Sequence, residues 1–433
     1  MTTFASSEID TMPDMPQWVT EMREQAQARF DRIGFPSTRD EAWRFTNTEP
    51  ITSIEWQEPA SGVLSPEDLA RCQIPELDAA LAVFVDGHFR EDLSDLSGLG
   101  DAVVCVPIED ALDRPGVSDS LCSLSASHDD GFTALNDARF KAGLCIQVPE
   151  GVEAKRPIHL LSIATHTSIP VATHPRLLIV AGKNARVQVI EHYNTVSDDI
   201  VNLTNAVTEI IAAEHAFVEH YLLERESERG FNVSTLFIRQ DARSRVHSHT
   251  VLLGGSIVRN NVVPTLAGER AHCLINGLYV AHDEQHLDNQ MRVRHGAPDC
   301  ESRQYYKGIM MDRSRGVFTG RIVVDKAGQG TDAIQTNRNM LLSDDARVNA
   351  RPQLEIFADD VRCTHGATTG RVDDEAVFYF RSRGLSEEVA RAMLIYAFAA
   401  EGFDRMDLAP VRRLLAGEMI AKLPRAEGLS IEV

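Results

Sequence analysis

Three groups of side chains in the 433-residue sequence carry ligand chemistry. Cys363-Thr-His365 sets a thiol and an imidazole two positions apart. On a strand such a pair shares one face, with Cα atoms roughly 6.6 Å apart. A thiolate beside an imidazole suits zinc or an iron–sulfur cluster. Two ligands do not complete a site, and the nearest other cysteine in the chain is Cys300. The fold or a second chain must supply the rest; on spacing alone, a buried cysteine beside an incidental histidine is the plainer reading. His247-Ser-His249 also places two imidazoles on one strand face. His282 and His286 have the spacing of the zinc-protease helix motif, but that motif needs Glu directly after its first His, and Asp283 stands there. With 15 histidines in the chain, close pairs arise by chance, so surface or core polar positions are the plainer reading of both pairs. Asp359-Asp360 reads as a solvated turn or strand end rather than a general acid/base pair. The sequence has no Gly-x-x-x-x-Gly-Lys-Ser/Thr loop, no Gly-x-Gly-x-x-Gly turn and no Gly-x-Ser-x-Gly elbow, which excludes ATP hydrolysis by a P-loop.

The elements that position these residues belong to an ordinary globular chain, 43% apolar and 25% charged. Aspartate and glutamate number 64 against 43 lysine and arginine, and a net charge of −21 repels phosphate backbones and anionic lipid. Nucleic acid and membrane surfaces are therefore poor partners. No apolar run approaches the ~20 residues of a membrane span; Ala392 to Ala400 comes nearest. The acidic N-terminal stretch MTTFASSEIDTMPDMPQ has no apolar core of a signal peptide. Seven scattered cysteines do not make a disulfide framework. These features together predict a protein of the reducing cytoplasm.

Four regions follow from the pattern. Residues 1–80 read as an N-terminal helical domain, in which Trp18, Met22, Ala26, Phe30 and Ile33 recur at helical spacing before Gly34 and Pro36 end the helix. Residues 81–142 are a mixed linking region with a short apolar run, Leu81 to Val85. Residues 143–375 read as strands: short β-branched runs such as Leu177-Leu-Ile-Val and Val187-Gln-Val-Ile are punctuated by Gly, Asn and Asp. Within them, turn-like segments ending in a small residue recur at Ala185, Ala216, Ala242, Ala271, Gly316 and Ala346, with steps of 31, 26, 29, 45 and 30. A step near ~30 fits one coil of a parallel β-solenoid; the long step would hold an insertion or a second coil. Residues 376–433 return to helix. Ser386 suits an N-cap, and Glu387 and Glu388 suit the positive end of the helix dipole. The following VARAMLIYAFAA is apolar nearly all round, so that helix is buried or faces a partner. A second helix from about Pro410 aligns Val411, Leu414, Leu415, Met419 and Leu423. These helices fit either a docking module or a cap over the open solenoid end.

The stretch RPQLEIFADDVRCTHGAT, with FYFRSRGL after it, closely resembles the C-terminal core signature of the SufB/SufD family of iron–sulfur cluster assembly proteins. EQHLDNQMRVRHGAPDCESRQYYKGIM and GVFTGRIVV are similar to that family's β-domain, and Glu41-Ala-Trp-Arg-Phe-Thr to its helical lead-in segment. The likeness spans most of the chain and is weak between Ile54 and Lys141. The short chain and Gly366, where SufB-like proteins tend to carry a glutamate, place the resemblance on the SufD branch.

The resemblance implies a right-handed parallel β-helix core flanked by N- and C-terminal helical domains. It also implies a non-catalytic scaffold subunit that pairs with a SufB-like paralogue and with SufC-like ABC-type ATPases, which hydrolyse the ATP. A transient iron–sulfur cluster would form at the seam, with His365 as principal and Cys363 as secondary ligand from this chain. Gln353, Glu355, Asp360 and Arg362 would face the paralogue, and Arg383, Val389, Met393, Tyr396 and Phe398 the ATPase. A reduced flavin has a place in such a complex, and no cofactor would be held permanently by this chain. Without the paralogue, a homodimer through the same strand edge is expected. Two other classes compete: a stand-alone metal-dependent enzyme using His247, His249 and His282, and a carbohydrate-active β-helix, which the missing signal peptide disfavours.

Overall fold

The computed structural model describes residues 15–166 and 168–422; the first 14 residues, Leu423 and the tail beyond it lie outside the described residues. The chain winds between two ten-stranded sheets, each coil giving one strand to each sheet. In the first sheet Arg186, Phe217, Arg245, His272, Glu301, Asp332 and Arg362 lie side by side, each one coil further on. Parallel in-register stacking converts the ~30-residue repeat into columns of side chains. Val187, Val218, Val246 and Cys273 form one such column, buried between the sheets with Ile210, Ile238 and Leu266 of the second sheet. This is the parallel β-solenoid the repeat predicts.

The 45-residue step holds no insertion. Ala271 precedes a strand of the first sheet, His272–Ala281, whereas Gly316 and Ala346 belong to turns and strands of the second sheet, Arg315–Val324 and Arg347–Ile356. The small-residue pattern passes there from one sheet to the other, which adds half a coil. Both sheets also draw strands from before residue 143. Ala80–Val85 extends the first sheet by pairing with Ile158–Ala164, and Val104–Pro107 joins the second. At that end the added strands His88–Phe89 and Val104–Pro107 run antiparallel to their neighbours. The last strands at the other end, Arg347–Ile356 and Val361–Gly370, each pair on one side only.

Five helices have nine residues or more: α1 (Gln17–Ile33), α2 (Gly131–Arg139), α3 (Asp374–Ser382), α4 (Glu387–Phe403) and α5 (Ala409–Lys422). The face of α1 is turned by about one residue from the expected one. Val19, Arg23, Ala26 and Phe30 are its buried residues, while Trp18 and Met22 are half-buried. Arg23 is buried because its guanidinium donates to the carbonyl of Phe140. The lead-in segment docks on the second sheet through Trp43, which stacks on Phe132 at 5.3 Å and lies 3.7 Å from the Arg259 guanidinium. Its Nε1 donates to Asp130 at 3.0 Å. Behind α2, the fully buried Arg176 pairs with Asp137 and Glu209, and Arg29 of α1 also pairs with Asp137. Glu209 accepts the backbone N–H of Cys122 and Leu124 at 2.7 Å each.

The C-terminal helices cover the outer face of the first sheet, not its open end. Ala392, Ile395, Ala399, Phe403, Leu415 and Met419 pack on Tyr221, Leu223, Val251, Leu278 and Ile309. Ser386 caps α4 as expected, its side chain accepting from the Val389 N–H at 3.3 Å. No described helix is long and apolar enough to cross a membrane.

Candidate functional site

The last coil carries the Cys-Thr-His motif. Val361–Gly370 pairs with Thr331–Leu341 so that Cys363 stands beside Ala333 and His365 beside Gln335. Ala333 and Gln335 are buried between the sheets, so the thiol and the imidazole share the inward-facing side of their strand. No further coil covers them. His365 is exposed and Cys363 half-buried, against Val324, Ala358 and Leu354. Burial pushes the Cys363 thiol above its ordinary pKa, opposed by a backbone hydrogen bond with Ala333. Beside His365, a Cβ at Gly366 would meet nothing within 4 Å, so space does not require the glycine.

The residues expected to face a paralogue take up two positions. Gln353 and Glu355 lie on the outer face of Arg347–Ile356, within reach of Arg321 at 3.2 and 3.4 Å. Arg321 and Arg351 also reach Glu41 of the lead-in segment, at 3.6 and 3.3 Å, which ties the N-terminal region to the terminal coil. Asp360 sits in the turn before the last strand, where its carbonyl accepts the Gly330 N–H at 2.7 Å. The Asp359-Asp360 pair is thus a turn, as its solvated reading holds. Arg362 is exposed on the side opposite Cys363. Sequence reasoning missed Ile356 and Phe357, which leave the second sheet's edge strand 39% and 60% exposed. Two apolar residues at a strand end before an acidic turn were a readable signal.

In the C-terminal helices, Val389, Met393, Tyr396 and Phe398 are half-buried. Tyr396 and Phe398 pack into the cluster against the first sheet, and Lys307 Nζ lies 4.3 Å from the Phe398 ring centroid. Arg383 is exposed and donates to the Tyr379 hydroxyl at 2.8 Å. Besides Phe357, the strongly exposed aromatic residues among those described are on α3, with Phe378 73% and Tyr379 55% exposed. They fall within the FYFRSRGL motif, a signal that spacing alone could not separate from core.

The histidines of the metalloenzyme reading do not converge. His247 and His249 share the outer face of Arg245–Leu252, but His249 is buried, stacked on Tyr221 at 5.0 Å, with Nε2 3.4 Å from Glu219. Asn276 lies opposite His249, and His282 follows it six residues on, roughly 20 Å along the strand direction. His286 starts a strand rather than sharing a helix turn with His282, and it bonds Thr46 at 2.8 Å. Among the described residues, the only group of three metal-type ligands is Glu228, His282 and Asp283. Lys422 Nζ stands 3.3 Å from His282 there, and both imidazole nitrogens already face carboxylates. All seven cysteines are free, and all except Cys363 are buried.

An open solenoid end bearing a thiol–imidazole pair is a geometry that comparison with known proteins can place. Residues 163–398 match the family described as SUF system FeS cluster assembly, SufBD core domain. Residues 2–160 match the SufBD protein N-terminal region. The chain belongs to the SufBD family. It is 34% identical to the iron–sulfur cluster assembly protein SufD of Escherichia coli over 86% of this chain and 85% of that one. It is 32% identical to a SufBD family protein of Synechocystis over 90% of this chain and 88% of the relative. SufD of Bacillus subtilis is 25% identical over 94% of both chains. Membership supports a role in iron–sulfur cluster assembly, and the weak likeness between Ile54 and Lys141 falls within the matched N-terminal region.

Proposed function

We propose that this chain is a SufD-like scaffold subunit that turns over no substrate itself. It pairs through its open solenoid end with a SufB-like paralogue, and through its C-terminal helices with a SufC-like ATPase. The observation that carries this reading is the terminal coil. Two sheets stop together with one-sided strands, and the inward face of one of them presents Cys363 and His365 unburied by any further coil. Unpaired backbone N–H and C=O groups on those edges are satisfied when a partner strand is added. The same addition closes the space over the thiol and imidazole, so a nascent cluster, the cargo of the complex, takes one or two ligands from this side and the rest from the partner. Exposed Phe378 and Tyr379 make α3, with Arg383 behind it, the part of the helical region that a soluble ATPase subunit would cover.

The test is anaerobic co-purification of the chain with its paralogue and ATPase, followed by cluster reconstitution. His365→Ala should leave assembly intact and cut cluster yield at least fivefold, and Cys363→Ala should cut it less. Normal maturation by His365→Ala would remove His365 from the site. Recovery of the chain alone with stoichiometric metal would overturn the scaffold reading. Phe378→Asp should abolish ATPase capture while pairing with the paralogue persists.

A further inference from the structure

A second feature lies away from the seam, on the outer face of the first sheet. There the turns leading into successive strands stack on one another: the N–H of His215 donates to Ala242, that of Arg243 to Glu269 and that of Arg270 to Pro298. All three have positive φ, at 62°, 56° and 57°. The neighbouring coils put Asn184 and Asp299 at this position, residue types that tolerate the left-handed region. Three consecutive coils instead carry a bulky cationic or imidazole side chain, against the local backbone preference. Two residues further on, Phe217, Arg245 and His272 stand in register on adjacent strands.

These six side chains frame a cavity of about 1010 Å³, the upper end of the range for small-molecule sites. Four arginines and three histidines line it with three carboxylates, and Glu153, Glu214 and Glu269 pair with its arginines from outside the lining, so Arg245 is the cation left without a carboxylate among the described residues. Arg186, Arg243 and Arg270 are held by carboxylates, at 3.5 Å from Glu153, 2.7 Å from Glu269 and 3.8 Å from Asp299. Among the described residues no carboxylate lies within ion-pair distance of Arg245. Nδ1 of His272 is buried without a hydrogen-bond partner. The Phe217 ring packs edge-to-face on His247 at 5.1 Å, and His247 on His272 at 5.5 Å, a row of rings set at steep angles, with the Arg186 guanidinium 4.9 Å from the Phe217 ring centroid. Burial holds both imidazoles below their usual pKa, so at neutral pH they are uncharged rings beside Arg245.

We propose that this groove binds a phosphate ester carrying a flat aromatic ring, the chemistry of a mononucleotide. Arg245 meets the phosphate and the Phe217–His247 row the ring. Isothermal titration of the full chain with AMP at low salt tests it, with adenosine and inorganic phosphate as partial probes. AMP should bind at least tenfold more tightly than either fragment. The exposed Arg245→Gln, which leaves the fold undisturbed, should weaken AMP at least tenfold, while Arg313→Gln outside the groove should not change it. Absence of AMP binding at millimolar concentration, adenosine binding as well as AMP, or an unchanged Arg245→Gln variant would each overturn the assignment.

Discussion

Arg176→Met tests the electrostatics that join the N-terminal region to the solenoid. Two guanidinium groups, Arg176 and Arg29, face two carboxylates, Asp137 and Glu209, with no exposed side chain for Arg176, Asp137 or Glu209. Nη2 of Arg176 also donates to Ser125 Oγ at 3.0 Å, and Nη1 to Asn136 at 3.1 Å. Removing Arg176 leaves two buried carboxylates against one cation, and of the two, Arg29 pairs only with Asp137. Breaking a buried pair from one side typically costs about 3–5 kcal/mol. The backbone N–H groups of Cys122, Leu124 and Ser125 still solvate Glu209, so the loss should sit near the lower end, about 3 kcal/mol. The assay is urea unfolding of the full chain, with amide exchange in residues 122–139 read by mass spectrometry. Glu209→Gln in the Arg176→Met background restores charge balance, so the double variant should be less destabilised than the two single costs added, by about 1–3 kcal/mol. A loss below about 1 kcal/mol for Arg176→Met, or simple additivity of the two changes, would refute the balanced-quartet account.

Other outcomes follow from burial and packing. Glu224 and Glu226 are both pushed above the usual carboxylate range, chiefly by burial and, for Glu224, by the Glu226 charge. The folded chain therefore holds their protons more tightly than the unfolded chain does. Their contribution is complete below the ordinary carboxylate range and is lost as pH rises through the raised values. Melting temperature should thus fall between about pH 5 and about pH 8, and Glu224→Gln should flatten that slope in thermal melts. Phe357→Lys should shift stability by less than about 0.5 kcal/mol, because the side chain is exposed, yet abolish pairing through the open end in light scattering. Gly277→Ala would put a Cβ 2.1 Å from Tyr306 Cε1, and overpacking there should cost about 1–3 kcal/mol in chemical denaturation.

The motif of the site could be read directly from sequence, because period two puts Cys363 and His365 on one side of any strand. That this side faces inward at an uncovered end depends on counting coils, and small residues alone mislead the count between Ala271 and Gly316. They mark turns before both sheets, and nothing local distinguishes the two. The apolar run at Leu81 was visible as a run; its pairing with Ile158–Ala164 is a long-range contact that no short window contains. Pro264 runs against strand preference in the interior strand Ile257–Leu266, and the pairing with the next strand lapses at Val263 and Pro264. The columns of the coil hold the strand there despite its sequence. The basic groove is likewise invisible locally, since Arg243, Arg245, Arg270 and His272 meet only once two coils are stacked.

The antiparallel strands at the start of the solenoid bear on how many chains can be joined. His88–Phe89 and Val104–Pro107 are edge strands of only 2 and 4 residues, whereas the edge strands at the far end are 10 residues each, so the starting end offers a partner little backbone to pair with. A stacking protein with two live ends would have a valence of two and grow into a fibre. With its long free edges all at one end, this chain favours a valence of one along its solenoid axis. On the proposed function, an assembly made by extending the long edges would stop at a pair, and a homodimer and a heterodimer would compete for the same position.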